Sequence, residues 1–593
     1  MIRLTREFKL EKLLLLLFGS GSLVFLGFFY THHLYQKEQL QLFEVTFRYF
    51  FQMISHQGGL SVYVGEFFIQ FFHFPFAGAI IITILVLLLQ RITARMLFKI
   101  TGKSPLILFS FLPAIGYWIL LLNDFYSLSG LAGLLISVTA SCIYLNLKES
   151  GSRTISAMFL MPAVYWLTGG AYLVFALIII VTEILFRFKR EEKQAPVSLL
   201  VLLVYLLLTI FIPLIAREFI ITDTILQSYL SESYYKIRIF SPLPLIVIFI
   251  SFPLLILFQQ FLPDNFSVKQ LRTITIISLV LLLALPVWGV VHFSDFKAEK
   301  EMAYENLVFK EEWGKIIDRA EKEQPSGPVS ILAVNLALAE TGQLSSKMFQ
   351  FDQKKNSLFL EYERRGMTPF IANEPFYYLG LINFAQMFAM ETIESTPDAK
   401  YPVRAFRRVA ETFIINGQYA NALKYLTPVS HTLFYRRWAK ECMSYLYNEE
   451  KINTHPVWGS KRKLASRYNF YYNSKQIDIA LRYLLISNPK NRVAFEYLMA
   501  YYLLQKNFDG FLGNIHLADE MNYNGLPVVW QQASAYIQTR LTQMPPQLEK
   551  FSVSDDVVNS IKSYAQLFSA DVQDTVKIRK EFGKTYWYYL HFK

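Results

Sequence analysis

Apolar residues come in long runs through the first half of the chain and at helical spacing through the second. The runs cover positions 13–30, 76–90, 105–122, 128–147, 154–167, 171–188, 197–216, 243–261 and 273–293. Each approaches the length that ~30 Å of hydrocarbon demands of a helix, several near the lower limit, so nine membrane spans are predicted. The segment between the first two runs, 31–75, is far too long for a turn. It mixes His32, His33, Glu38, Glu44, Arg48, His56 and Glu66 with Phe, Tyr and Leu. From position 294 onward, apolar positions recur every three to four residues in stretches broken by short polar turns. Two domains are expected: 1–293 in the membrane, with 31–75 as a large first outer loop, and 294–593 outside it.

Composition agrees with that division. The 593 residues are 53% hydrophobic and 18% charged, with a mean hydropathy of +0.30. That is too apolar for a soluble protein and too charged for one lying wholly in a bilayer. A net charge of +12 raises nucleic acid as a partner. No recognition motif or basic helix accompanies it, and cytoplasmic Lys/Arg anchoring accounts for the excess. The basic residues are sorted by side. Loops on the N-terminal side hold sixteen, including Arg91, Arg95, Lys99 and Lys103; the opposite loops hold five, Lys37, Arg48, Arg217, Lys236 and Arg238. The positive-inside rule then places the N-terminus in the cytoplasm, and an odd number of spans places 294–593 on the opposite side. Trp118, Trp166 and Trp288 fall at the outer ends of their runs, as an interfacial aromatic belt would. Arg3, Arg6, Lys9 and Lys12 precede the first run without a small-residue cleavage site, which reads as an uncleaved signal anchor. Cys142 and Cys442 lie in different domains, so neither a disulfide framework nor a thiol metal site is expected.

Within the first outer loop, Leu40, Phe43, Phe47, Phe50, Phe51 and Ile54 recur near helical spacing and predict an amphipathic helix at the interface, ended by Gly58-Gly59. A second helix is expected from Tyr63 to His73, stopped by Pro75. In the second domain the clearest unit is 403–428, VRAFRRVAETFIINGQYANALKYLTP. Its Phe406, Val409, Ala410, Phe413, Gly417, Tyr419, Ala422 and Leu426 resemble the packing positions of a tetratricopeptide repeat, with small residues for close approach and Gly417 for the turn. A second match carries Pro489, Ala500 and Asn507-Phe508; weaker ones turn at Gly342 and at Leu379-Gly380. The expected fold class is therefore all-α: a polytopic helical membrane domain of about nine spans, followed by an extracytoplasmic α-solenoid of degenerate tetratricopeptide-like repeats. Stacked helical hairpins of that kind present a surface that binds a peptide or protein.

Soluble-type chemistry finds little support. Gly102-Lys103-Ser104 ends like a phosphate-binding loop, but Leu97 stands where that loop needs its first glycine. There is no His-Glu-x-x-His, no Gly-x-Ser-x-Gly and no dinucleotide fingerprint. The stretch 59–79, GLSVYVGEFFIQFFHFPFAGA, resembles the first-loop signature of GT-C class membrane glycosyltransferases through Gly65, Glu66 and Phe67, then Pro75, Gly78 and Ala79. That resemblance implies sugar transfer from a polyprenyl-phosphate carrier at the outer face, with an acidic residue of the first outer loop as the catalytic group. The class places an aspartate just before the Gly-Glu pair. This chain has Val62, Tyr63 and Val64 there, so Glu66 is the candidate in its place.

A carboxylate at an apolar interface resists ionisation and can serve as a general base near neutral pH. Asp124, in the next outer loop, is the candidate second acid, with a divalent metal beside it left open; it reads equally as a cap of the following helix. Arg217, Lys236 and Arg238 are candidates to bind a lipid-linked phosphate, arginine bidentately. His32, His33, His56 and His73 are candidate acid/base partners. Glu66 also reads as a solvated interfacial residue. Glu183, four residues before Arg187, is expected to pair with it. Lys461-Arg462-Lys463, followed by Arg467, Tyr468, Phe470, Tyr471 and Tyr472, reads as a solvated basic face over core aromatics, or else as a grip for an anionic glycan or lipid head group.

The layout also resembles an uncharacterised family of Bacteroides-type envelope proteins, through GGLSVYVGEF and EPFYYLGLINFAQMF; no activity comes with it. With that resemblance, the expected location is a bacterial inner membrane with 294–593 in the periplasm. Two functions remain. One is a glycosyltransferase-like enzyme using a lipid-linked sugar, its tail holding a protein acceptor. The other is a non-enzymatic membrane-anchored scaffold recruiting envelope proteins through its repeats. A transporter would need buried charges and paired broken helices, which the runs lack. The expected partners are membrane lipid, including a polyprenyl-phosphate-linked one, and a protein or peptide on the repeats.

Overall fold

A computed structural model describes residues 2–103, 107–189, 195–220, 224–230, 242–263, 267–360, 368–396, 400–466, 468, 471–521, 523, 525–540, 545–570 and 575–593. It divides into two compact units, Met1–Glu299 with His431–Leu433, and Lys300–Ser430 with Phe434–Lys593. Every regular element among the described residues is helical.

In the first unit each apolar run is a helix: Ile2–Val24 with a π turn over Phe25–Phe29, Ala77–Thr101, Ile107–Leu120, Leu128–Tyr144, Ser150–Thr168, Tyr172–Lys189, Ala195–Phe219, Leu243–Phe261 and Val268–Phe293. By length and composition, six helical stretches can cross a membrane: Glu11–Phe29, Ala77–Thr101, Ser150–Phe186, Leu199–Phe219, Leu243–Phe261 and Arg272–Phe293. Phe109–Leu120 and Leu128–Tyr144 are shorter and also apolar. The stretch Ser150–Phe186 is bent into a hairpin. A 3₁₀ turn at Gly169–Ala171 begins with Gly169 at φ +59°, and Arg153 Nε donates to Glu183 Oε1 across the hairpin at 2.7 Å. Tyr144 donates to the same buried carboxylate at 2.9 Å. Glu183 thus finds its partner on another helix; the side chain of Arg187, expected to pair with it, lies outside the described residues.

Hydrogen bonds join the helix ends in two sets. In one, Arg91 donates to Glu11 at 2.7 Å, Lys99 to Asn146 at 2.6 Å and Lys103 to the Gln260 carbonyl at 3.1 Å. In the other, Tyr30 donates to the Leu122 carbonyl at 2.8 Å, Trp166 to the Ile54 carbonyl at 3.0 Å, and Tyr165 to the Ser228 carbonyl at 3.1 Å. Basic side chains close the first set, aromatic ones the second. Of the three tryptophans expected in a belt, Trp288 is exposed, but Trp118 is buried and donates to Ser22 Oγ at 2.9 Å. Trp166, partly exposed, pins the segment 31–75 through its bond to Ile54. Burial and a protein acceptor for its indole N–H take Trp118 out of the expected belt role.

The segment 31–75 folds differently from its periodicity. Helices cover Thr31–Gln39, Phe47–Ile54 and Gly59–Ile69, with a 3₁₀ turn at Gln70–His73. The single amphipathic helix expected through Leu40 and Phe43 does not form, because 41–46 is non-helical and the Thr46 hydroxyl caps a new start by accepting from the Tyr49 amide at 3.1 Å. Leu40, Leu42 and Phe43 are buried, while Phe47 and Phe51 remain exposed. Helix Gly59–Ile69 lies hard against Leu128–Tyr144: a Cβ added at Gly65 would come within 2.6 Å of the Ser129 backbone.

In the second unit, Val403–Ile415 and Tyr419–Ser430 form a helical hairpin. Phe406, Val409, Ala410, Phe413, Tyr419, Ala422 and Leu426 are all buried, and Gly417 turns at φ +71°. Its helix stop recurs. The amides of Glu312, Gln343, Leu381, Gln418 and Asn507 each donate to the carbonyl five residues back, at 3.0, 2.6, 2.8, 2.8 and 2.8 Å. The residue before each, Glu311, Gly342, Gly380, Gly417 and Lys506, is left-handed. This is the Schellman arrangement, which satisfies the last helical carbonyls and reverses the chain.

Gly65→Ala is expected to destabilise the first unit by about 1–3 kcal/mol, since backbone cannot step aside for the new methyl. Gly151→Ala, where a Cβ meets nothing within 4 Å, is expected to be neutral or stabilising. Thermal unfolding of the detergent-solubilised variants measures both.

Candidate functional site

In the segment 31–75, polar side chains serve the ends of helices. Thr31–Gln39 begins with amides that lack helical acceptors, and the Glu299 carboxylate takes those of His32 and His33, both at 2.7 Å. Lys37, nearly two turns on, sends its ammonium to the carbonyls of Leu121, Asn123 and Tyr126 at 2.9, 3.3 and 3.3 Å. It closes the tight connection in which Asp124 stands. There His33 Nδ1 lies 3.2 Å from Asp124 Oδ1; the imidazole is buried and the carboxylate side chain is 32% exposed. Asp124 does not cap the next helix. Ser127 does, accepting from the Ser129 amide at 3.2 Å.

Glu66 is buried in the helix that Gly65 seats against Ser129. Tyr49 donates to its Oε2 at 2.8 Å, and Gln41 donates to its backbone carbonyl at 2.9 Å. Burial, reinforced by Glu66, pushes the Tyr49 hydroxyl well above its ordinary range, so it remains a donor. The two candidate catalytic carboxylates therefore rest on different partners, Glu66 on Tyr49 and Asp124 on His33. Among the candidate phosphate ligands, Arg217 lies half-buried near the end of Ala195–Phe219. Lys236 and Arg238 lie outside the described residues. His56 is exposed, its Nδ1 3.0 Å from the Gln52 carbonyl, and His73 stacks near Tyr35. No group of three or more His, Cys, Asp or Glu suited to a metal occurs among the described residues.

The second unit holds a site that sequence reasoning passed over. A cavity of about 270 Å³ is lined from five consecutive stretches, among them Phe309 and Glu311, Asn373 to Tyr378, Arg404 to Glu411, Trp438 to Tyr445, and His455 to Trp458. Helix Val403–Ile415 places Arg404, Arg407, Arg408 and Glu411 at i, i+3, i+4 and i+7, a single face. Glu374, buried at the start of helix Glu374–Leu379, accepts from Arg404 at 3.4 Å and from Arg408 at 2.6 Å. Arg408 also donates to Glu411 at 2.8 Å and to Asn373 at 3.1 Å, and its guanidinium lies 3.6 Å over the Tyr377 ring. Arg407 lies 4.5 Å over Trp438 and 5.3 Å over Phe309. Burial raises the carboxyl pKa of Glu411, with Arg408 opposing it; burial also pushes the Cys442 thiol up, away from nucleophilic thiolate. The lining thus brings three arginines and four carboxylates around one space, with no activated thiol among them.

The basic cluster at 461–463 divides: Lys463 is exposed, as a solvated face requires, but its two neighbours are engaged. Lys461 is buried, donating to the Tyr378 carbonyl at 2.9 Å with its ammonium 4.6 Å over the Tyr378 ring. Arg462 donates to the Ile414 and Ile415 carbonyls at 3.0 and 2.9 Å, closing the end of Val403–Ile415. Neither is a solvated face, because both satisfy carbonyls of neighbouring helices. Tyr468 and Tyr471 are exposed rather than core, whereas Tyr472 packs edge-on against Phe376, Phe384 and Phe388. Arg467 and Phe470 lie outside the described residues.

An all-helical chain with several long apolar helices is a membrane protein by class. A model of a family of unknown function, DUF6057, matches residues 7–593, and the chain belongs to that family. No curated protein and no solved structure matches it.

Burial brings the Lys461 amine down to about 8, against about 10.4 for an unfolded lysine. Between those values the unfolded chain binds more protons, so this group makes stability rise with pH across that window and weighs against folding below it. Lys461→Met is expected to flatten that rise. Unfolding of the solubilised full chain at a series of alkaline pH values measures it.

Proposed function

We propose that the protein is a multi-pass scaffold of a bacterial inner membrane. Nine spans place the N-terminus in the cytoplasm, and degenerate tetratricopeptide-like hairpins in the periplasm recruit an envelope protein. The observation that carries this reading is the recurrent Schellman stop at Glu311, Gly342, Gly380 and Gly417, at intervals near the roughly 34 residues of a helical-repeat unit, with the same stop again at Lys506 after a longer, irregular interval. Repeated hairpins cannot bury their apolar faces alone, and arrays of them serve chiefly as binding surfaces. The sorting of basic residues by side supports the orientation.

Lys562 is exposed. Lys562→Cys is expected to react with a membrane-impermeant maleimide in intact spheroplasts, and labelling only after lysis would reverse the topology. Photo-crosslinking from exposed positions of the second unit is expected to capture one discrete protein partner; a smear or no product counts against recruitment.

A second reading, lipid-linked glycosyl transfer at the outer face, is favoured by the His33–Asp124 pair, whose buried imidazole and partly exposed carboxylate have the makings of an acid/base dyad. Glu66 would then position or assist, with Arg217, Lys236 and Arg238 at the phosphate. Under this reading a polyprenyl phosphate co-purifies with the full chain, and Asp124→Asn abolishes the cellular phenotype while leaving the melting temperature unchanged. Absence of that lipid, with an active Asp124→Asn chain, leaves the scaffold reading alone.

A further inference from the structure

One helix face in the second unit carries three arginines toward a cavity that can satisfy only part of them. Arg404 and Arg408 share Glu374, and Arg408 also holds Glu411. Arg407 has aromatic neighbours on its faces, Trp438, Phe309 and Tyr435, and no hydrogen bond or ion pair among the described residues. Its Nε is buried without an acceptor. So is the Nε of Arg404, whose side chain is 6% exposed. Buried N–H donors without acceptors are strongly disfavoured, and both arginines line the same space of about 270 Å³. The terminal nitrogens of Arg407, which are not buried and have no hydrogen bond among the described residues, are the donors that an oxyanion in that space would meet.

The charges around the cavity narrow that oxyanion. Against the three arginines stand Glu311, Glu374, Glu411 and Glu441. A doubly charged phosphate would meet four carboxylates at short range, whereas a single carboxylate matches the planar fork of a guanidinium and adds one charge only. The same carboxylates add acceptors to the lining, which a ligand can use only if it brings donors of its own. We propose that this cavity binds a small monocarboxylate carrying hydroxyl or ammonium donors, such as an acidic sugar unit or an α-amino acid, with Arg407 as its principal anchor. The site stands apart from recruitment of a protein partner and can fail without it.

The test uses the detergent-solubilised full chain, with glucuronate, glutamine, glucose and inorganic phosphate as probes, followed by calorimetry and by tryptophan fluorescence. Glucuronate or glutamine is expected to bind, and which of them binds names the source of the carboxylate. Glucose, which lacks the anion, is expected to be silent. Arg407→Gln is expected to weaken binding at least tenfold with an unchanged melting temperature, and Arg407→Lys, which keeps the charge but loses the fork, to weaken it less. Arg579→Gln, at an exposed position outside the cavity lining, leaves it unchanged. The proposal is overturned if neither carboxylate binds at up to about 10 mM, where even a weak specific site would be occupied. Phosphate binding as tightly as either carboxylate, or undiminished binding to Arg407→Gln, overturns it equally.

Discussion

A helix that stops inside a protein leaves its first amides and last carbonyls without partners, and this chain is built almost wholly of helices that stop. Its two units meet that demand by different means. In the first, long side chains reach from elsewhere in sequence: Lys37 to the carbonyls of Leu121, Asn123 and Tyr126, Tyr30 to Leu122, Glu299 to the amides of His32 and His33. The second uses such reaches too, from Lys461 to the Tyr378 carbonyl and from Arg462 to those of Ile414 and Ile415, but adds a local device, one left-handed stop repeated five times. The difference reflects environment. A helix end near an apolar medium cannot rely on water, so a polar side chain must be brought to it. A chain of short hairpins turns often, and a local motif serves five of those turns without calling on a distant side chain.

This contrast explains what the sequence disclosed. The apolar runs were legible because hydrophobicity is a property of the run itself, and each coincides with a helix. Gly342, Gly380 and Gly417 were legible because glycine advertises a left-handed turn. Glu311 makes the same turn without the glycine and was not seen, and the turn at Lys506 was marked only by Asn507-Phe508 after it. The helix expected through Leu40 and Phe43 failed for a related reason: its periodicity was real, but the burial of Leu42 and Phe43 and the cap at Thr46 decided the backbone. Trp118 shows the limit of positional rules. It sits where a belt residue should, yet its indole N–H was already committed to Ser22 on another helix.

Chemistry was less legible than fold, because its signal lies in pairs distant in sequence. Asp124 was singled out as a loop carboxylate, but its neighbour His33 is 91 positions earlier and nothing local announces it. Lys461 and Arg462 read as a surface cluster because adjacent charges usually are one. Each instead meets carbonyls of a neighbouring helix. The arginines of 404–408 were visible only as part of a repeat motif. Their spacing was a usable signal: i, i+3, i+4 and i+7 define a face, and a charged face on a helix whose other positions are apolar calls for an explanation.

Stability does not provide that explanation. Replacing a buried ion network by apolar residues of similar volume is commonly neutral or stabilising, so a network such as Glu374 with Arg404 and Arg408 is not kept for its contribution to folding. The surrounding choices point the same way. Glu311 holds φ +56°, a conformation that costs a side-chain-bearing residue about 1 kcal/mol or more, where three of the other Schellman stops use glycine. Its carboxylate accepts from Tyr378 at 2.7 Å and lines the cavity. Left-handed side-chain-bearing residues and buried donors without a hydrogen bond also occur elsewhere, at Lys506 and at Arg319 Nε, so neither alone marks a site. Around this cavity they meet one another and a shared ion network, and local rules are broken together most readily where a site demands it.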